Sequence, residues 1–143
     1  MTDRLPGTWK LAAWRRITGD GTISYPLGTD ARGQLIYTPD GRMAVQIAGA
    51  DRPPLATGDP LGGDAQARAG AYSSYLAYFG TYQVRDQSVV HRIDASLFPD
   101  WSAQEQVRPF TFERGELVLR TPPMQTSSGT TVVNEIAWTR EDR

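Results

Sequence analysis

The stretch Gly7-Thr8-Trp9-Lys10-Leu11 begins the first long apolar segment of the chain. Within that segment Trp9, Leu11 and Ala13 stand at alternate positions, so they would share one face of an extended strand. Alternation of this kind is typical of a β-strand that turns one face toward a core. The last apolar segment ends in Trp138-Thr139-Arg140, so the chain begins and ends on predicted strands that carry a tryptophan.

Six further strands and one helix are predicted between these two ends. The eight predicted strands cover residues 9–17, 34–38, 42–48, 78–85, 88–95, 106–113, 116–121 and 131–140, and residues 22–27 form a short extended piece outside this set. Short connections without alternating helices exclude a parallel α/β sheet. The pattern therefore predicts an all-β fold with antiparallel strands.

A different pattern interrupts the strands after residue 48. Residues 51–63 hold three prolines and three glycines and predict a long loop, which in a compact domain is often functional. From Asp64 to about Leu76, apolar residues recur at helical spacing, and Asp64 can cap the start of a helix. Gly70 weakens that helix. One short helical insert is thus expected between the third and fourth strands.

The composition limits the classes of protein to consider. The 143 residues suit a single domain, 1–143, and 39% hydrophobic residues suffice for a core. A net charge of −1 without basic blocks argues against nucleic acid and against electrostatic membrane binding. No apolar run is long enough to span a bilayer, the first residues show no signal region, and cysteine is absent. These features predict a soluble cytoplasmic protein.

Six stretches together carry a family resemblance: Gly-Thr-Trp-Lys-Leu at 7–11, Tyr-Pro-Leu-Gly at 25–28, Gly-Gln-Leu-Ile-Tyr at 33–37, Asp-Gly-Arg-Met-Ala-Val-Gln at 40–46, Tyr-Phe-Gly-Thr-Tyr at 78–82, and Asn-Glu-Ile-Ala-Trp at 134–138. The combination resembles the bacterial and fungal lipocalin-like domain family over nearly the whole chain. The resemblance implies an eight-stranded antiparallel calycin-type barrel. It also implies that Arg140 packs over Trp9 at the base of the barrel, as a cation–π contact.

The same resemblance carries an expectation about function. Proteins of this kind are found beside enzymes of secondary metabolism and polyketide synthesis, and some small lipocalin-like barrels act as cofactor-free cyclases or isomerases. A barrel of eight strands has room inside for one small ligand. A mostly aromatic pocket is expected, holding an aromatic or polyketide-like molecule.

His91 is the single histidine and the first candidate for chemistry, because imidazole is the usual acid or base near neutral pH. Either Val89, His91 and Ile93 face the interior, or Val90 and Arg92 do, since both faces carry an apolar residue. A buried histidine that only satisfies its hydrogen bonds is the alternative to a catalytic one. A lone histidine needs carboxylate partners at a suitable spacing to hold a metal, and none stands near in sequence, so a metal site is not expected.

Arg108 shares its phase with Phe110 and Phe112, so it faces the core if they do. A buried arginine needs a partner, and either Glu135 or a ligand carboxylate or enolate would serve. The alternative to an anchoring role is a structural ion pair.

Tyr78 and Tyr82 share one phase around Gly80. A glycine inside a strand often marks the close approach of a ligand or of another backbone. Their hydroxyl groups can donate to a developing oxyanion, and packing inside the barrel is the alternative.

The predicted site has two parts. His91, Arg108 and Tyr82 form the catalytic set. The expected ligand-binding residues are Tyr37, Gln46, Tyr78, Trp101, Phe110 and Glu135. Trp101 belongs to an apolar loop that would either line the pocket mouth or form a subunit contact in a homodimer. A helical insert with Tyr72, Tyr75 and Leu76 would close the same mouth.

Three functions fit these residues. The first is a cyclase, isomerase or lyase that needs no cofactor, since the phosphate-loop, dinucleotide and serine-hydrolase motifs are all missing. The second is a carrier that binds a hydrophobic small molecule without turnover. The third is a barrel filled by its own side chains.

Overall fold

The computed structural model describes residues 4–141. They form one short α-helix, α1 (Ala65–Ser73), a 3-10 turn at Pro99–Trp101, and ten strands. The strands are β1 (Gly7–Thr18), β2 (Ile23–Ser24), β3 (Arg32–Tyr37), β4 (Arg42–Ala48), β5 (Tyr75–Arg85), β6 (Ser88–Ser96), β7 (Glu105–Glu113), β8 (Glu116–Arg120), β9 (Met124–Gln125) and β10 (Thr131–Arg140).

Eight long strands make a closed antiparallel barrel. Their order is β1-β3-β4-β5-β6-β7-β8-β10, and β10 pairs again with β1, while the two-residue strands β2 and β9 extend the sheet at its rim. Closure leaves no long free edge, which protects the sheet from pairing with other chains. The predicted eight-stranded barrel is confirmed, and its helical insert lies after the third long strand.

The insert differs from the prediction in its extent. The Asp64 carboxylate accepts a hydrogen bond from the Ala67 amide at 2.8 Å, so the predicted cap is present. The helix ends at Ser73 because Tyr75 already pairs with Ala48 in the sheet. Tyr75 and Leu76 are therefore strand residues. No helix within residues 4–141 has the length and apolarity needed to cross a membrane.

One end of the barrel is closed by Trp9 and Arg140. The guanidinium carbon of Arg140 lies 4.2 Å from the centre of the buried Trp9 ring. Arg140 Nη1 also donates to the Pro6 carbonyl at 2.9 Å, and Trp9 Nε1 donates to the Leu5 carbonyl at 2.9 Å. The arginine thus fixes the segment before β1 across the base, as the resemblance implied.

A bulge near the start of β1 reverses which side chains face inward. The register against β10 shifts between Leu11 and Ala13, so one extra residue interrupts the alternation. After the bulge, Trp14 and Arg16 face the interior. The prediction that Ala13 continues the inner face of Trp9 is therefore wrong.

Gly7 is the position where the base depends most on glycine. Its φ is +139°, and a Cβ there would lie 2.4 Å from Arg140 Nη1. Gly7→Ala should therefore destabilise the protein by about 1–3 kcal/mol, through backbone strain and displacement of Arg140. Chemical denaturation measures this loss. Gly19→Ala is the matched control, because its Cβ would meet nothing within 4 Å. Equal stability of both variants would contradict the role given to Gly7.

Candidate functional site

A cavity of about 500 Å³ occupies the half of the barrel away from Trp9. This volume suits one small organic ligand. Most of the wall is apolar, and aromatic side chains dominate it: Trp14, Tyr72, Tyr75, Tyr78, Phe98, Trp101 and Trp138. Two arginines line the cavity and no aspartate or glutamate of residues 4–141 does. The cavity wall is therefore mostly apolar, and the two charged side chains among its described lining residues are both positive.

His91 faces this cavity and lies between two tyrosines. The side chain is only 1% exposed, and Val89 and Ile93 are buried beside it, which decides between the two orientations that the sequence left open. Its Nε2 lies 2.6 Å from the Tyr37 hydroxyl, and its Nδ1 lies 2.7 Å from the Tyr78 hydroxyl. Both ring nitrogens thus have a partner before any ligand arrives.

The charge state of this Tyr37–His91–Tyr78 chain follows from its burial. Desolvation and then the nearby Arg108 charge lower the pKa of His91 to about 3. Burial also raises the pKa of Tyr37 well above the usual value for tyrosine, and that of Tyr78 in the same direction. All three groups are neutral near pH 7. A neutral imidazole donates one hydrogen bond and accepts one, so one tyrosine keeps its hydroxyl proton for another acceptor.

Arg108 is the charged group of the same region. It is 5% exposed and lines the cavity, and Phe110 of the same strand is buried as the phase predicted. Its Nη1 makes two long contacts of 3.3 Å, to Gln106 Oε1 and to the Val107 carbonyl. The guanidinium also lies 5.7 Å from the Trp101 ring centre. Among residues 4–141 no carboxylate lies within ion-pair distance of it.

Trp138 adds a second unsatisfied donor. The side chain is 1% exposed and lines the cavity, and its Nε1 has no hydrogen-bond partner within the described part of the chain. A buried donor without a partner costs about 1–3 kcal/mol. Trp138 Nε1 and part of the Arg108 guanidinium are thus donors for which residues 4–141 provide no acceptors.

Four of the predicted site residues line this cavity together: His91, Arg108, Tyr78 and Trp101. The Tyr78 and Trp101 rings meet edge to face at 5.8 Å, so the predicted apolar loop forms part of the cavity wall. Tyr72 and Ser73 of α1 line the cavity as well, and so do Tyr75 and Leu76 of β5. A homodimer contact through this loop stays a prediction.

Tyr37 and Tyr82 lie behind the cavity. Tyr37 contacts His91 on the side away from Tyr78, and its ring packs on Tyr82 at 4.6 Å. The Tyr82 hydroxyl donates to the Thr38 carbonyl at 2.7 Å, so it is occupied in the fold. Gly80 allows a close backbone approach, since a Cβ there would lie 1.9 Å from the Arg92 carbonyl oxygen at a bulge between β5 and β6.

Gln46, Phe110 and Glu135 are also outside the cavity wall. Gln46 is on the outer face and accepts from Gln34 Nε2 at 2.9 Å. Phe110 packs edge to face with Phe112 at 5.8 Å, toward the closed end. Glu135 pairs with Arg15 at 3.5 Å and with Arg120 at 3.0 Å. Glu135 therefore cannot serve as the predicted partner of Arg108.

Trp14, Arg16 and Asn134 are cavity residues that the sequence reasoning missed. Trp14 and Arg16 follow the bulge in β1, which simple alternation cannot reveal. Asn134 faces Arg16 across the β1–β10 pairing. Asn134 shares its phase with the apolar Val132, Ile136 and Trp138, and a polar residue at that position was the one available signal.

The comparison with family models agrees with this architecture. The model of a family described as lipocalin-like domain matches residues 6–141, and the chain therefore belongs to the lipocalin-like domain family. The chain is also similar to the crystal structure of the wild-type fluorescent protein UnaG, at 15% identity and a TM-score of 0.40, covering 99% of this chain and 100% of that chain. No curated protein matches the sequence.

The pKa of His91 leads to a prediction about stability. In the unfolded chain histidine titrates near 6.5, whereas in the fold the pKa is about 3. Below pH 6.5 the unfolded state therefore binds the proton that the folded state excludes, and stability falls with falling pH. Between pH 7 and pH 5.5 the loss should be about 1 kcal/mol. Denaturant unfolding measures it, and His91→Asn should flatten the curve. A native stability that stays constant over this range would contradict the neutral buried state.

Proposed function

We propose that this protein binds a flat, mostly apolar small molecule that carries an acidic group, and that Arg108 is the counterion of that group. The observation that supports this most is Arg108, a residue only 5% exposed that lines an aromatic cavity and lacks a carboxylate partner within residues 4–141. Burying an unpaired charge is costly, and such charges in proteins are normally paired. A ligand carboxylate, enolate or phenolate would supply the missing partner.

The cavity wall supports the same class of ligand. Aromatic side chains on several strands suit a planar ring system, and a volume of about 500 Å³ leaves room for two or three fused rings. One tyrosine hydroxyl of the Tyr37–His91–Tyr78 chain is a further donor. Donors around a ligand oxygen favour an acceptor-rich head group over a cationic one.

The protonation of the site favours binding over base catalysis. A general base works best when its pKa is near the working pH, and His91 has a pKa of about 3. Phenolate forms of Tyr37 and Tyr78 are also disfavoured by burial. The neutral chain is better suited to orient a ligand oxygen than to remove a proton from carbon.

Arg108→Met tests the anchor. The variant should bind 2-naphthoate about tenfold to a hundredfold more weakly, because a charge-assisted hydrogen bond is worth about 1.5–3 kcal/mol. Calorimetry, or quenching of the cavity tryptophans, measures the affinity. Its folding stability should be unchanged or higher, since the substitution removes an unpaired buried charge.

Two controls make this test specific. Arg92→Met removes an exposed arginine from neighbouring β6 and should leave binding unchanged. The uncharged 2-naphthamide should bind wild type and Arg108→Met alike. Equal binding of the acid to wild type and Arg108→Met would contradict the proposal, as would a preference of wild type for the amide.

A second candidate function is the cofactor-free cyclase, isomerase or lyase that the sequence suggested. The favouring observation is the continuous chain from Tyr37 through His91 to Tyr78, with its two contacts of 2.6 and 2.7 Å. Through such a chain Tyr78 could give a proton to a bound enolate, His91 could replace that proton from Nδ1, and Tyr37 could give its own proton to His91 Nε2, so that the negative charge moves from the enolate to Tyr37 until solvent reprotonates it. Arg108 would steady the oxyanion, and Tyr78 would take the role expected of Tyr82.

Native mass spectrometry of protein purified from its own organism separates these two functions. Tyr78→Phe removes the hydroxyl that meets both His91 and the cavity. A carrier should hold the same metabolite in wild type and variant, although more weakly in the variant. An enzyme should hold a product in wild type and an unrearranged precursor in Tyr78→Phe. Because an isomerisation leaves the mass unchanged, the released metabolite is also fragmented, and the same mass with the same fragmentation pattern in both proteins would contradict the catalytic candidate.

A further inference from the structure

A second polar cluster lines the cavity on the strands opposite Arg108. Arg16 on β1 faces Asn134 on β10, and both side chains line the cavity. In the closed order of strands, β1 is three strands away from β7, which carries Arg108. In a barrel of eight strands, such a separation places two inward side chains on nearly opposing walls.

The acceptors of this cluster are already used. Asn134 is 3% exposed, and its Oδ1 accepts from Trp14 Nε1 at 2.8 Å and from Arg16 Nε at 3.2 Å. An amide oxygen accepts two hydrogen bonds, so this one is saturated. The amide nitrogen of Asn134 contacts Met124 Sδ at 3.3 Å, a weak acceptor.

Arg16 therefore keeps donors to spare. Its two terminal nitrogens make no hydrogen bond or ion pair with residues 4–141. The preceding residue in the strand shows the contrast, because Arg15 faces outward and pairs with Glu135 at 3.5 Å. In this strand pair the outward arginine has its carboxylate, and no carboxylate of residues 4–141 pairs with the inward arginine.

We propose that Arg16, oriented by Asn134, forms a second subsite for an acidic group, and that the ligand is an elongated aromatic molecule with an acidic group at each end. This inference rests on the proposed function, since it needs Arg108 to hold the first acid. Arg108 is buried and Arg16 is half-buried, and no acid of residues 4–141 lines the cavity between them, so a dianion spanning the cavity would neutralise both cations. A monoanion would leave Arg16 without a partner.

A matched pair of probes tests the second subsite. Wild type should bind 2,6-naphthalenedicarboxylate at least tenfold more tightly than 2-naphthoate, as measured by titration calorimetry. Arg16→Met should lower the affinity for the diacid to that for the monoacid and leave the monoacid unchanged. Arg15→Met is the control from the outer face and should change neither affinity. Arg16→Lys keeps the charge and should keep most of the preference for the diacid over the monoacid. This variant thus separates loss of the charge from a packing defect caused by Arg16→Met.

The outcomes separate this inference from the proposed function. If wild type binds both acids equally while Arg108→Met weakens both, the second subsite is overturned and the anchor stands. If Arg16→Met weakens both acids to the same degree, Arg16 is no second subsite, and the inference is again overturned. If wild type binds neither acid, the proposed function fails and the second subsite fails with it.

Discussion

The antiparallel pairing of β1 with β10 is the constraint on which the rest of this structure depends. This pairing closes the barrel, and along its length it contributes residues to three different regions of the barrel. At one end Trp9 pairs with Arg140 at the closed base, further along Leu11 pairs with Trp138 at the cavity wall, and at the other end Arg16 pairs with Asn134. The bulge between the first and last of these regions rotates the inner face of β1, so that an arginine enters the cavity.

The interior that results is unusual in its balance of donors and acceptors. Arg16, Arg108 and Trp138 have hydrogen-bond donors without acceptors in residues 4–141. A core selected for stability alone would not keep Arg108 and Trp138 in this state, because a buried charge or donor without a partner costs free energy, whereas Arg16 is half-buried and costs less. The cost is understandable if a ligand rich in acceptors completes the cavity. His91 is the opposite case, since both of its nitrogens are satisfied by tyrosines and its charge is suppressed.

The sequence predicts the frame of this molecule better than its site. Strand positions and the base contact between Trp9 and Arg140 follow from local alternation and from the family resemblance. The inward face of Arg108 follows from its phase with Phe110. These features depend on a few consecutive residues of one strand.

The remaining site features depend on which strands meet, and at what register. No local pattern shows that Tyr37 reaches His91, that Tyr82 is held by a backbone carbonyl, or that Glu135 pairs with arginines outside the barrel. Arg16 escaped prediction for a related reason, since one inserted residue exchanges the two faces of a strand without changing its composition. Which side chains meet across a closed sheet is thus decided by the register between its strands.

The central claim is that Arg108, which is buried in the wall of an aromatic cavity, binds the acidic group of an anionic ligand. A crystal structure of the protein soaked with 2-naphthoate tests this most directly. The account predicts the naphthalene rings against Trp101 inside the barrel, with a carboxylate oxygen about 2.7–2.9 Å from a nitrogen of Arg108. A naphthoate whose carboxylate points out of the barrel into solvent, with Arg108 still unpaired, would contradict it.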